Sequence, residues 1–375
     1  MPNERTRQWA STMGGHELDE VVLAHRESTA RLAPAHPHHR EMREHQERQF
    51  LAEGSTLATG AGKRERPEEP DPYRTCFEKD RDRIVHSTAF RRLAGKTQVV
   101  VYPKDHQRTR LTHALEVAQV ATSVARAVGA NVTLAEAIAL GHDCGHGPGG
   151  HASETAFDPY LPSGYDHGPW GADIALRPLN LCEETLDGIR NHSWSRPAPQ
   201  TVEGEIVSWA DRIAYCAHDL EDALHAGIVT VEQIPPSVTS IAGSTRSQQL
   251  HTYITAMIDT ITTHQVIGMD QLTAQGLREL RAFNYDQIYT RDEAVAQSDA
   301  VVVILRALVD YLIDNPAQVP GAHKDPPSFL AAIETPVWRA IEYVSGMTDR
   351  FAFEQAETLL GYDLTRIPAG IGRGA

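Results

Sequence analysis

Apolar positions recur at helical spacing along most of this chain, most strongly over Thr109–Val128. There Leu111, Leu115, Ala118 and Val124 fall on one face and Ala114, Val117 and Ala121 on the next. Such a helix is apolar over most of its circumference, which predicts a central position. Val202–Leu224 repeats the pattern, with Ile206, Ala210, Ile213, Ala217 and Leu220 on its core face. Shorter helices are predicted over Asp80–Leu93, Thr133–Leu140, His151–Phe157 and Leu181–His192, with a Pro/Gly-rich loop over Tyr160–Trp170. A further series follows at Ser247–Thr263, Asp270–Arg281, Asp292–Ile313, Ser328–Gly346 and Asp349–Leu360, separated into groups by Pro235–Pro236 and Pro316–Pro327. The stretch Ala300–Ile313 is apolar enough to serve either as core or as an interface. Only Gln98–Pro103 (QVVVYP) has a β-like run, ending at a proline. The expected fold is all-α with at most a small β element.

The first 70 residues break this regularity. They are rich in Arg, Glu, His, Pro and Gly, and apolar periodicity surfaces only near Leu18–Leu32. Glu53–Pro72 reads as a linker, and the whole of 1–70 as a flexible polar arm. His36, His38, His39 and His45 are then solvated side chains of that arm rather than a metal tract. The expected organisation is the arm, a domain over 71–228, and a helical C-terminal region over 229–375.

Charge and cysteine content narrow the function. The chain has 375 residues with 35 basic against 50 acidic side chains, a net charge of −15. That balance argues against a general nucleic-acid binder but not against a small anionic substrate held by a metal and a few arginines. Four cysteines, Cys76, Cys144, Cys182 and Cys216, form no C-x-x-C pair, which fits a reducing cytoplasm. No run reaches the length of a membrane span, so no membrane association is expected.

The chemistry concentrates in Gly141–His151 (GHDCGHGPGGH), where three histidines and an aspartate lie among five glycines. Imidazole and carboxylate together are the usual ligands of a hard or borderline metal ion. Two more candidates sit inside predicted apolar helices, His113 and Asp211. Each would be costly to bury alone, and one metal ion shared with His142 and Asp143 resolves the cost for all four. Cys144 reads as a small buried thiol in preference to a ligand, and His192 as a cation at a helix C-terminus in preference to a group supporting the ligands. Asp211, Tyr215 and Asp219 are four residues apart and share a polar stripe, either solvated or the wall of a nucleoside pocket.

The pattern His113, His142-Asp143, Asp211 resembles that of the HD-domain metal-dependent phosphohydrolases. The chain looks most like the deoxyguanosinetriphosphate triphosphohydrolase-like proteins. The stretches that carry the likeness are RDRIVHSTAFRRLAGKTQVV (81–100), RTRLTHALEVAQVA (108–121), GHDCGHGPGGHASE (141–154), LNLCEETLDGIRNH (179–192), TVEGEIVSWADRIAYCAHDLEDAL (201–224) and GMTDRFA (346–352). They span about 72–361.

The resemblance implies an HD-domain helical fold with additional C-terminal helices. It implies hydrolysis of deoxynucleoside triphosphates to deoxynucleoside and triphosphate, and assembly as a homo-oligomer. It further implies a divalent metal ion (Mg, Mn, Fe, Co, Ni or Zn) on His113, His142, Asp143 and Asp211. His151 would be the acid/base, oriented by Glu154. His146, His167, Arg110 and Arg212 would reach the phosphates, and Tyr215, Asp219 and Gln98 the sugar or base. Arg110 also stands at a helix N-terminus, an unfavourable end for a cation without a functional reason.

One stretch departs from the family. Where relatives commonly carry an apolar residue and a Pro-Pro-Phe-Gly-like run, this chain has Cys144 and Gly147-Pro148-Gly149-Gly150. The substitution predicts a more flexible loop between the metal pair and His151.

Overall fold

The computed structural model describes residues 3–12, 14–99, 107–321 and 326–367. Residues 1–38 and 39–375 form separate compact units. Within the first, the apolar run near Leu18 is a two-stranded antiparallel hairpin, His16–Leu18 with Val21–Leu23, paired His16↔Leu23.

In the second unit the strongest periodic segment forms Arg110–Val128. Thr109 and Thr112 cap its start, and Gly129, at φ +76°, ends it. Ala114, Val117, Ala118, Val120, Ala121, Val124 and Ala125 are buried. Leu115, expected on the core face, is 52 % exposed; the apolar arc is rotated toward Val120 and Ala125. Around this helix pack Val132–Gly141, Val202–His225 and Arg246–His264, and Val132–Gly141 also meets Cys76–His86 and Glu183–Asn191. A second apolar cluster joins His151–Phe157 to Asp292–Asp314, Thr335–Ser345 and Asp349–Leu360. Val301, Ile304, Leu305, Leu308, Val309 and Leu312 are buried in it, so the Ala300–Ile313 stretch is core. Cys144 belongs to the first cluster and Ala152 to the second, so the glycine-histidine loop is where the chain crosses between them.

Residues 39–70 are not a free arm. Arg40–Phe50 is a helix and Ala58 is fully buried. Glu203, fully buried, accepts from the Thr56 amide (3.1 Å), the Ser55 and Thr56 hydroxyls and the Asn131 amide (2.8 Å). Arg64 pairs with Asp80 at 2.5 Å, both inaccessible. Polar composition misled here because the segment is tied down by buried ion pairs and carboxylate–amide bonds rather than by apolar side chains.

Elsewhere the pattern holds with breaks. Ser87 closes Cys76–His86 and caps Thr88–Arg92 through its hydroxyl (Phe90 N, 3.0 Å), splitting one expected helix in two. Pro336 near the start of Thr335–Ser345 does the same for the expected 328–346 helix, leaving only a 3-10 turn at Ser328–Leu330. The Tyr160–Trp170 loop carries a short helix, His167–Trp170. Of Gln98–Pro103 only the first two residues are described. Among the described residues, no helix is long and apolar enough to cross a membrane.

Candidate active site

Two helix ends present imidazoles in the same way. His142 caps Val132–Gly141 and its Nδ1 lies 2.7 Å from the Ala139 carbonyl; His192 caps Glu183–Asn191 with Nδ1 2.8 Å from the Ile189 carbonyl. A carbonyl only accepts, so in each ring Nδ1 carries the hydrogen and Nε2 the lone pair. Burial, with His167 and His142 beside it, pushes His192 down to about 3. It is therefore a neutral imidazole whose Nε2 offers a lone pair, not the helix-end cation favoured from its position.

The remaining donors come from the two long helices. His113 Nε2 is 3.0 Å from Asp211 Oδ1, and His142 Nε2 is 3.7 Å from the same oxygen and 3.5 Å from Asp143 Oδ1. Burial opposes charge on both aspartates. The His113 hydrogen bond outweighs it at Asp211, and the Arg110 guanidinium at Asp143, so both carboxyls lie well below the usual range. His113, His142 and Asp211 form one potential ligand set, and His142, Asp143 and His192 another, sharing His142. His142 is fully buried, yet its Nε2 has no hydrogen-bond partner. A buried lone pair aimed between two carboxylates is an unfavourable arrangement for protein atoms alone. These residues fit a divalent cation with mixed N/O ligands.

A second group adjoins the first. Arg110, 2 % exposed, donates from Nη1 to Asp143 Oδ2 at 2.8 Å, while its Nε and Nη2 are buried without partners. His146 stacks on His167 with ring centroids 3.7 Å apart. Its Nε2 is 3.1 Å from Asp143 Oδ1, but neither of its nitrogens makes a well-directed hydrogen bond. Glu154 bridges two rings, with Oε1 2.5 Å from His167 Nδ1 and Oε2 3.1 Å from His151 Nδ1. His167 Nε2 in turn faces the lone pair of His192 Nε2 at 3.0 Å, so both His167 nitrogens donate and the ring is an imidazolium. Burial disfavours that charge, but the Glu154 hydrogen bond raises His167 nonetheless. The His151 side chain is 70 % exposed. Orphaned donors beside an imidazolium and a guanidinium suit an anion.

The sugar candidates group separately. Tyr215 Oη accepts from Arg281 Nε (2.8 Å), and Tyr289 Oη donates to Asp219 Oδ2 (2.5 Å). Gln98, whose Oε1 is buried and unpaired, lines a small cavity with Arg108, Asp219 and Ile288. The Arg212 guanidinium sits 3.5 Å over the ring of Trp194. Trp194, Arg281 and Tyr289 are absent from the sequence expectation, and His192 was given another role there. His192 lay within the quoted 179–192 block. Tyr289 ends the π-helical run Tyr285–Tyr289, which shifts the register that a 3.6-residue period gives.

Burial pushes the Asp219 carboxyl up to about 6 from 3.8. The folded state then holds a proton that the unfolded chain releases, so this group's stabilisation is full below the lower value and lost as pH rises through the upper. Asp219→Asn is expected to flatten that part of the profile, read as urea midpoints between pH 4 and 7. An unchanged slope would remove Asp219 as its source.

The glycine loop is fixed, contrary to the flexibility its composition predicts. A Cβ at Gly145 would lie 2.0 Å from the His167 carbonyl oxygen and 2.3 Å from the Gly171 amide. At Gly147 it would meet Ser153, and at Gly149 Val301 at 2.5 Å; Gly149 and Gly150 have φ of +73° and +63°. These glycines serve close approach and left-handed backbone. Gly145→Ala should lower stability by about 1–3 kcal/mol or more through overpacking against backbone. A melting temperature equal to that of the wild type would contradict the packing described.

The helical fold and clustered His/Asp donors are those of an HD-domain phosphohydrolase, and the HD domain family matches residues 110–216. The phosphohydrolase-associated domain family matches 267–358. A deoxyguanosinetriphosphate triphosphohydrolase-like protein of Caldanaerobacter subterraneus subsp. tengcongensis is 36% identical over 84% of this chain and 93% of its own length. One from Clostridium perfringens is 37% identical over 77% of this chain and 87% of its own. A solved phosphohydrolase from Bacteroides thetaiotaomicron aligns over 74% of this chain and 67% of that one, at 16% identity and a TM-score of 0.45. The chain belongs to the deoxyguanosinetriphosphate triphosphohydrolase-like family.

Proposed function

We propose that this hydrolase cleaves deoxynucleoside triphosphates, dGTP among them, into deoxynucleoside and triphosphate, using a divalent cation held by His113, His142, Asp143 and Asp211. The observation that carries the reading is the orphaned His142 Nε2 between two ionised carboxylates. Bound there, the ion supplies positive charge against the phosphates and lowers the pKa of water.

The chain's own groups do the rest. Arg110 keeps Nε and Nη2 for phosphate oxygens while Nη1 is engaged with Asp143. His146 adds a donor and the His167 imidazolium a positive charge on the same side, and Arg212, braced on Trp194, adds a further cation. His151 stands exposed at the edge of this group. With Nδ1 toward Glu154, it directs Nε2 outward to give a proton to the leaving 5′ oxygen. Glu154 orients His151 and His167 together. Asp219 offers Oδ1 to a 3′-hydroxyl while Tyr289 occupies Oδ2, and Tyr215 and Gln98 line the sugar side.

The test is product analysis with each of the four dNTPs, before and after exhaustive chelation. Triphosphate and deoxynucleoside are expected, lost on chelation and restored by one or more divalent ions. Orthophosphate or a nucleoside monophosphate as the phosphorus product would replace this reading with another phosphohydrolase activity.

A further inference from the structure

Two motifs of the sequence have no part in the chemistry above: Ala94-Gly95-Lys96-Thr97, and Gly346–Ala352 near the C-terminus. The structure brings them together at the glycine-histidine loop. Lys96 is 3 % exposed, and its ammonium donates to the carbonyl of His146 and, at 3.1 Å, to that of Ser345. Asp349, 5 % exposed, accepts the Gly149 amide on Oδ1 at 2.8 Å, and the Thr97 amide (2.9 Å) and hydroxyl on Oδ2. Two buried charges thus span the loop, one at His146 and one three residues later. They tie it to Lys96–Thr97 on one side and to the start of Asp349–Leu360 on the other. The loop's other ends are fixed locally, by the Tyr165 hydroxyl on the Gly145 carbonyl (2.7 Å) and by Ser153 Oγ on the Gly147 amide (3.0 Å).

We propose that Lys96 and Asp349, with Thr97, are positioning residues that set the Gly145–Gly150 backbone so that His146 and His151 face one phosphate. In its catalytic part this rests on the activity proposed above. Burial pulls Lys96 down to about 8 and raises Asp349, so both charges are held at a cost. A buried charge is seldom the best route to stability, since apolar groups of equal volume serve as well. Its advantage is direction: an ammonium or carboxylate fixes particular backbone atoms where a methyl group fixes none. Thr97 gives the brace a second link to the site. A Cβ on Gly150 would stand 3.0 Å from the Thr97 carbonyl oxygen and 2.6 Å from Arg110 Nη2, and the Arg110 amide donates to the Lys96 carbonyl at 3.2 Å. One dipeptide therefore touches the phosphate arginine, the histidine loop and the C-terminal region. The C-terminal helices belong to the active-site support, not to an appendage.

The full-length chain carries the test in three variants, Asp349→Asn, Thr97→Val and Thr97→Ser. An asparagine amide has one acceptor oxygen and cannot accept on both sides. Asp349→Asn is expected to lower kcat by about 10- to 100-fold, the range a misplacement near 1 Å produces, with KM and bound metal per chain close to wild type. Thr97→Val should lower kcat in the same sense and Thr97→Ser restore it, because serine keeps the hydroxyl. Ring signals of His146 and His151 in nitrogen-edited NMR spectra should move in Asp349→Asn and Thr97→Val while those of His113 stay. Wild-type kcat in folded Asp349→Asn and Thr97→Val, or unmoved His146 and His151 rings, would overturn the proposal. So would equal losses in Thr97→Val and Thr97→Ser. Should Asp349→Asn not fold, the threonine pair decides. Should the wild type release no triphosphate from any dNTP, the functional reading fails alone, and the ring signals still decide the brace.

Discussion

Asp143→Ala is expected to abolish both metal retention and turnover, the largest effect of any single replacement in this chain. Its carboxylate does two jobs that no neighbour duplicates. Oδ1 faces His142 Nε2, and Oδ2 takes the Arg110 guanidinium at 2.8 Å. Alanine removes a proposed ligand and also leaves Arg110 buried without its counter-charge, with Nε and Nη2 already unpaired. Breaking a buried pair in this way costs about 3–5 kcal/mol. His142→Ala separates the two effects, because it removes a ligand while the Arg110–Asp143 pair stays. Both variants should lose metal in atomic absorption measurements, but only Asp143→Ala should lose several kcal/mol in urea unfolding. Full activity with bound metal in either would overturn the ligand assignment.

His151→Ala should do the opposite: keep the metal and lose turnover. The ring is largely exposed and its one described hydrogen bond is to Glu154, so its removal should change stability by no more than about 0.5 kcal/mol. Loss of a general acid lowers rate by about 10²- to 10⁴-fold. Metal stoichiometry and kcat measured on the same preparation check this. Loss of the ion would make His151 a ligand and require a different proton donor.

The central helices were legible in the sequence because apolar side chains place them. Arg110–Val128, Val202–His225 and Asp349–Leu360 lie within a residue of their expected limits. Residues 39–70 were not legible, since buried pairs such as Arg64–Asp80 and the amides around Glu203 have no hydrophobic period. At the site, His113 and Asp211 lie on two helices beside His142 and Asp143, which directly follow a third, and the ligand set the resemblance implied is part of the proposed function. The glycine loop was misjudged because composition records conformational freedom but not the neighbours that remove it, here the His167 carbonyl, Ser153 and Val301. Arg281 and Tyr289 were missed, and His192 misread, for a related reason. Each acts through a tertiary partner, respectively Tyr215, Asp219 and His167, that no spacing along the chain encodes.

The central claim is attack of water on the α-phosphorus at this histidine–aspartate centre. It is tested most directly by turnover of dGTP in ¹⁸O-water, with the products resolved by ³¹P NMR and mass spectrometry. The account predicts triphosphate carrying one ¹⁸O and an unlabelled deoxynucleoside. Label in the deoxynucleoside, or release of orthophosphate or pyrophosphate in place of triphosphate, would contradict it.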